Sequence, residues 1–368
     1  MTASSNAISL DLRCVGSTGE RYCKTVNECT IDGKLAKRKR VTFSSGSYSN
    51  CFRQAQFSPD GTTVVTYGED ECLRSFVLPP DLLENPDTAS NLVPHNEYQS
   101  PSNLQAYALY PHFRLEDPAT TVLLSSSKDL PITLRNVLDY ETLHASYPLT
   151  NDMTEAYIAP QSLEWSPNGM HFVAGSKDSI SVFDATRYSE GPVRTHQTAS
   201  GRAARKLCGG DDYRSCKGVV SALSTSPGGL LAAGTLLRNI AIYEKDGLGQ
   251  CATSFSLEPP PGERDATRGG GITQLRWSPC GNYLLIAERR SDVIQIYDLR
   301  NTLGRVGWLS GRKADTTQKL GFDVVPTMDG PETWAGGTDG CVRMWKNAGL
   351  VEGPQEPEEV LRLHDGEF

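Results

Sequence analysis

The chain lacks the common arrangements that mark a metal or catalytic centre. Its ten cysteines (Cys14, Cys23, Cys29, Cys51, Cys72, Cys208, Cys216, Cys251, Cys280 and Cys341) form no C-x-x-C pair. Its six histidines (His95, His112, His144, His171, His196 and His364) fall in separate neighbourhoods. Zinc-site spacing is therefore absent. No G-x-S-x-G elbow, Walker loop, H-E-x-x-H or paired-carboxylate motif occurs, so nucleophilic, phosphoryl-transfer and metalloenzyme chemistry have no carrier. Gly269-Gly270-Gly271 leads into a β-like run, whereas a phosphate cradle leads into a helix. We expect a protein that is not an enzyme, with no catalytic residue, cofactor, metal or small-molecule substrate.

Long apolar runs are missing as well, so no membrane span is expected. Residues 1–12 show no charged region leading into an apolar core, and we expect a soluble intracellular protein whose cysteines are mostly buried free thiols. The formal net charge is −8, with 44 acidic against 36 basic residues. That balance argues against indiscriminate coating of a polyanion and leaves any nucleic-acid contact to a local patch.

What the chain does have is 34 glycines, 22 prolines and an internal repeat. Phe57-Ser58-Pro59-Asp60-Gly61, Trp165-Ser166-Pro167-Asn168-Gly169, Thr225-Ser226-Pro227-Gly228-Gly229 and Trp277-Ser278-Pro279-Cys280-Gly281 share one order. Ser suits the first position of a type I turn, Pro presets the second and Gly suits the fourth. An apolar run follows each turn, then a polar turn, then an alternating strand ending in an aromatic residue: Phe76, Phe183, Tyr243 and Tyr297. A fifth unit runs from Gly330 to Trp345. The spacing from turn glycine to terminal aromatic stays between 14 and 16 residues across these units. A sixth, degenerate unit turns at Asp117-Pro118 and places Arg135 where the aromatic belongs.

Units therefore begin near Phe52, Leu104, Gln161, Val219, Ile272 and Leu320. This period predicts an all-β WD40-type β-propeller, in which small antiparallel sheets bury their faces against one another around a ring. Seven blades are expected, and six are visible with the seventh incomplete. Either the N-terminal segment (Ile8 to Val15, then Tyr22 to Ile31) pairs with the C-terminal strand near Val360 to complete the ring, or the sequence is cut short. The organisation reads as residues 1–48, an N-terminal segment with a basic arm and the closing hairpin; 49–350, the propeller; and 351–368, an acidic tail or partial closing strand.

Asp70, Asp129, Asp178, Asp292 and Asp339 recur five or six residues before the end of the alternating strand. Recurrence points to carboxylates that accept backbone N–H groups in tight turns. The basic stretches are different because they fall between repeats. Lys34, Lys37, Arg38, Lys39 and Arg40 read either as a nuclear-import signal or RNA-contacting arm, with Lys37 to Arg40 as the import candidates, or as a solvated arm. Between Arg187 and Lys217 there are seven basic residues against three acidic ones, and Arg300, Arg305, Arg312 and Lys313 add positive loops beyond. The RNA-binding candidates are Arg194, Arg202, Arg205, Lys206, Arg268, Arg289 and Arg290, because guanidinium groups pair with phosphate and stack on unpaired bases. The alternative is scattered solvated charge.

Several stretches resemble the telomerase Cajal-body WD-repeat protein family and its fungal nuclear relatives. The likeness is carried by Phe57 to Gly61 with Leu78-Pro79-Pro80-Asp81-Leu82, by Ser125-Ser126-Ser127-Lys128-Asp129-Leu130-Pro131-Ile132, by Tyr140-Glu141-Thr142-Leu143-His144-Ala145-Ser146-Tyr147, by residues 159–169, by the run from Phe183 to Pro192, and by Gly269 to Leu275. It covers residues 49–347. The resemblance implies a nuclear protein that binds small nuclear or nucleolar-type RNA, telomerase RNA among them, and delivers it to nuclear bodies; fungal relatives are linked to splicing particles. Arg135, the long stretch from Arg194 to Lys217 and the missing seventh blade depart from that pattern. The expectation is a non-catalytic escort of small non-coding RNA and ribonucleoprotein proteins, without membrane contact. The alternative is a protein-only scaffold associated with pre-mRNA splicing particles.

Overall fold

The computed structural model describes residues 13–18, 52–84, 88–198, 216–257, 267–300 and 304–363. Six four-stranded antiparallel units follow one another along the chain in a β-propeller arrangement. Blade 1 consists of Phe52–Phe57, Thr63–Gly68, Cys72–Val77 and Asn96–Gln99, and blade 2 of Leu104–Leu109, Val122–Ser127, Ile132–Asn136 and Leu143–Tyr147. Blade 3 takes Ser162–Trp165, His171–Ser176, Ser179–Asp184 and Arg194–Gln197, and blade 4 Val220–Thr225, Leu231–Thr235, Asn239–Tyr243 and Cys251–Ser256. Ile272–Trp277, Tyr283–Glu288, Ile294–Asp298 and Gly304–Leu309 form blade 5. Blade 6 is Phe322–Thr327, Gly330–Gly336, Cys341–Lys346 and Glu359–Arg362. Every blade starts within two residues of the position its sequence repeat predicts.

The C-terminal stretch expected as a tail or closing strand supplies two edge strands. Glu359–Arg362 pairs antiparallel with Cys341–Lys346 as the outer strand of blade 6. On the way there, Gly353–Gln355 adds a fifth, parallel strand to the outer edge of blade 5. Gly16–Ser17 lies parallel to Ser90–Asn91 beside blade 1. No seventh blade occurs among the described residues, and the proposed hairpin partner Tyr22 to Ile31 lies outside them.

The Ser-Pro turns close as their sequence predicts. The glycine N–H donates to the serine carbonyl at 2.9 Å for Gly61 and Ser58, 2.9 Å for Gly169 and Ser166, 3.1 Å for Gly229 and Ser226, and 2.8 Å for Gly281 and Ser278. Each of these glycines has φ between 69° and 80°, a left-handed conformation that L side chains resist. The serine hydroxyl then accepts a backbone N–H from the start of the next strand, as Ser58 does from Thr63 at 3.0 Å and Ser278 from Tyr283 at 3.0 Å. This second bond explains why Ser stands there and why it is buried.

Five apolar clusters fill the five junctions between successive blades. The terminal aromatic of each third strand packs toward the blade before it. Phe183 joins the cluster between blades 2 and 3, Tyr243 that between 3 and 4, Tyr297 that between 4 and 5, and Trp345 that between 5 and 6. Burying such a ring stabilises by about 1.5–3 kcal/mol. Arg135 keeps this role in blade 2 by another means. Its guanidinium lies 4.8 Å from the ring centre of Tyr98, on the outer strand of blade 1, and donates to the carbonyl of Tyr140 at 2.8 Å. A cation over an aromatic face thus substitutes for ring packing.

Candidate nucleic-acid interface

Antiparallel pairing reverses the chain at every strand, so each blade's second turn and its connector to the next blade share one rim. The Ser-Pro turns and the links between third and fourth strands lie on the other. On the connector rim, one residue of each second turn adopts positive φ: Glu71, Asp129, Asp178, Arg238, Arg290 and Gly340. The side chain there is acidic in blades 1 to 3 and arginine in blades 4 and 5.

Four of the five recurring aspartates, Asp70, Asp178, Asp292 and Asp339, act as backbone acceptors. Asp178 takes the N–H of Gly218 at 2.7 Å and Asp292 that of Ala314 at 2.5 Å, tying each turn to the next connector. Asp70 and Asp339 accept the N–H groups of Cys72 and Cys341 and also hold Arg74 and Arg343 four residues on. The hydrogen bonds from Arg343 hold the Asp339 carboxyl down at about 2.

Three basic loops are locked together between blades 4 and 6. Gly270 N–H donates to the Arg289 carbonyl at 2.6 Å, and Arg289 N–H donates to Gly271 at 2.9 Å, joining the loop of Arg268 to the second turn of blade 5. Arg290 N–H donates to Thr316 at 2.9 Å, which brings in the connector carrying Lys313 and Lys319. Arg268, Arg290 and Lys313 are exposed and make no ion pair among the described residues. Arg289 is half-buried, and its Nε is buried without a hydrogen-bond partner. Lys319 is exposed on the same connector. These cations repel one another, and an anion relieves that repulsion.

The other candidates are placed differently. Arg194 begins the outer strand of blade 3, toward the Ser-Pro rim and away from Arg268, Arg289 and Arg290. Arg202, Arg205 and Lys206 lie outside the described residues, as do Lys37, Arg38, Lys39 and Arg40. Arg300 is held by Asp298 at 2.8 Å and Tyr283 at 3.1 Å, while Arg305 donates to Thr267 at 2.6 Å. Arg312 is buried, donates to the Leu320 carbonyl at 2.7 Å, and is pushed down to about 10 by that burial. These three arginines serve the fold.

Sequence reasoning missed Arg238 and Lys319. Arg238 forms a two-pronged pair with Glu288 at 2.7 and 3.1 Å, and Gln295 donates to the same buried carboxylate at 2.8 Å. The signal was available, because Arg238 occupies the repeat position that Asp178 fills in blade 3. Of the six described cysteines Cys72 and Cys216 are buried, so among the described residues the thiols are not mostly buried, and Cys23, Cys29, Cys51 and Cys208 lie outside them. Burial pushes the Cys216 thiol up to about 12. Among the described residues no group of three His, Cys, Asp or Glu side chains is placed to hold a metal, and no helix is long and apolar enough to cross a membrane.

No family model matches the chain. It is 33% identical over 308 residues to guanine nucleotide-binding protein negative regulator 1 of Schizosaccharomyces pombe, covering 82% of this chain and 72% of that one. It is 28% identical over 332 residues to telomerase Cajal body protein 1 of Homo sapiens, covering 87% of this chain and 55% of the human one. Protein SWT21 of Zygosaccharomyces rouxii is 26% identical over 256 residues, covering 67% of this chain and 55% of the yeast one. The chain thus spans little more than half the length of the latter two. Shared identity along most of the six-bladed body, rather than at one motif, places the chain in the telomerase Cajal body WD-repeat protein family with its fungal relatives.

Proposed function

We propose that this propeller is a non-catalytic nuclear platform that binds small non-coding RNA along the connector rim of blades 4 to 6 and carries it into ribonucleoprotein assembly. The observation that supports the reading is the hydrogen-bonded junction of three loops presenting Arg268, Arg289, Arg290 and Lys313 on one rim. Fixed guanidinium groups suit the phosphates and stacked bases of single-stranded RNA. The chain leaves the same rim at Thr198 and returns at Cys216, so Arg202, Arg205 and Lys206 are proposed as further contacts. The relatives' names, telomerase Cajal body protein among them, favour a nuclear particle.

Crosslinking in cells followed by sequencing of recovered RNA tests the proposal. Enrichment of small nuclear or telomerase RNA is expected. Recovery at background supports the second reading, a protein-only scaffold associated with pre-mRNA splicing particles. Combined neutralisation of Lys37 to Arg40 is expected to shift the protein out of the nucleus; unchanged nuclear accumulation removes the import reading.

A further inference from the structure

A cleft of about 390 Å³ opens on the Ser-Pro rim between blades 5 and 6, on the rim opposite the three basic loops. Its first wall belongs to blade 5. Tyr283 begins the second strand, Asp298 ends the third, and Gly304 to Val306 begin the fourth. The facing wall is the link of blade 6 that carries Gly349, Leu350 and Glu352. Two close approaches fix the walls to each other. At Gly349, with φ 96°, a Cβ would lie 2.8 Å from Cγ of Tyr283, so the link rests on the ring only because it has no side chain there. Gly353 then pairs with Gly307, where an added Cβ would strike the Gly353 carbonyl.

The chemistry of the cleft suits a flat cation. The Asp298 side chain is 15% exposed and stands beside the half-buried ring of Tyr283. Glu352, across the cleft, is exposed and makes no ion pair among the described residues. Leu350 and Val351 give the lip an apolar surface, at 67% and 49% exposure. Arg305 is engaged elsewhere, with its guanidinium on Thr267 at 2.6 Å and 5.3 Å from the ring centre of Trp308. A carboxylate next to an aromatic face is the pairing that a guanidinium fork and its π surface recognise.

The chain itself demonstrates the match. Arg300 donates from Nε and Nη2 to Asp298 at 3.1 and 2.8 Å and from Nη2 to the Tyr283 hydroxyl at 3.1 Å, with its guanidinium 5.3 Å from the Tyr283 ring centre. Its side chain is nevertheless 56% exposed, and ion pairs so open to water are weak enough to exchange partners.

We propose that this cleft takes an arginine side chain of a protein partner, followed in the partner by an apolar residue that meets Leu350 and Val351, and that Arg300 holds the place of that arginine in the free chain. Arginine is favoured over lysine because its planar fork matches the Asp298 carboxylate while its face lies on Tyr283. The cleft and the basic loops lie on opposite rims, so the inference does not depend on RNA binding.

The test titrates the full chain with a fluorescein-labelled peptide of glycine and serine that contains one arginine followed by leucine. A matched peptide replaces the arginine with citrulline, which is neutral and of the same shape, and fluorescence anisotropy is read for both. Saturable binding of the arginine peptide is expected, with the citrulline peptide weaker by about tenfold or more. No saturation by roughly 1 mM arginine peptide, or equal binding of the two peptides, overturns the inference. Two variants assign the binding to the cleft. Glu352→Gln is expected to weaken the arginine peptide about threefold, and Arg300→Ala to tighten it about threefold because the competing guanidinium is gone. Unchanged or tighter binding in Glu352→Gln, or unchanged or weaker binding in Arg300→Ala, overturns the inference as well.

Discussion

Blades 1 to 3 and blades 4 to 6 are built on one plan and differ where they meet solvent. In the first half the junctions are rich in rings: Phe172 stacks on Phe183 at 4.9 Å and meets Tyr147 and Trp165 edge-on. The junction between blades 3 and 4 is mostly aliphatic, with Val173, Ile180, Val182, Leu231 and Ala233. Both fillings serve, because a sheet face asks for volume and apolarity more than for one side chain. The connector rim is another matter. Glu69, Glu71 and Asp178 mark it in blades 1 to 3, while Arg268, Arg289, Arg290 and Lys313 mark it in blades 4 to 6. Charge at solvent-facing turns is unconstrained by packing, so an arginine-rich stretch of the rim is where function can be written without disturbing the fold.

That comparison can be broken at its structural end first. Phe172→Ala and Leu285→Ala, one in each half, remove side chains with 0% exposure and are each expected to lower unfolding free energy by about 2–5 kcal/mol, measured by denaturant titration. RNA affinity of the folded fraction should not change with either. Glu288→Ala leaves Arg238 without its buried partner and is expected to destabilise by about 3–5 kcal/mol; a loss confined to RNA affinity would show that the pair does not hold the turn. On the rim itself, Arg268→Ala, Arg289→Ala and Arg290→Ala together are expected to weaken RNA binding by about tenfold or more at low salt, read by fluorescence anisotropy. The matching change in the first half, Glu69→Gln with Glu71→Gln, should leave affinity equal or slightly raised. Equal losses from both halves would erase the distinction.

The smallest effect concerns pH. Glu164, on the first strand of blade 3, accepts from Thr225 N–H at 3.3 Å and is pushed up to about 7 by burial, with Arg276 opposing. A carboxyl whose folded value lies above its unfolded one binds protons more tightly in the native state. Stability is therefore greatest below the unfolded value, near 4.3, and is lost as pH rises toward 7. Glu164→Gln should abolish that decline between pH 5 and 8 in denaturant titrations; an unchanged slope would assign it to another group.

The blade plan was legible because its signals are local. Ser-Pro-x-Gly fixes a turn through steric and hydrogen-bonding demands that act within five residues, and a two-residue period reports a buried face. Arg135 looked like a defect in the repeat, since a sequence does not reveal that Tyr98 waits beneath it from another blade. The parallel strand Gly353–Gln355 was hidden for the same reason: it pairs with Gly307, Trp308 and Leu309, and short edge strands carry no periodic signal. Among the arginines, charge was visible but availability was not. Arg312 and Arg289 read alike in sequence, yet one is spent on backbone carbonyls and the other stands beside a basic junction.

The most direct test of the central claim is the salt dependence of binding to a short single-stranded RNA, compared between the natural chain and the Arg268→Ala, Arg289→Ala, Arg290→Ala variant. The account predicts a steep fall of affinity with salt for the natural chain, and a slope on logarithmic axes shallower by about 2 in the variant, at ~0.7 per lost phosphate contact. Identical slopes for the two proteins would contradict it.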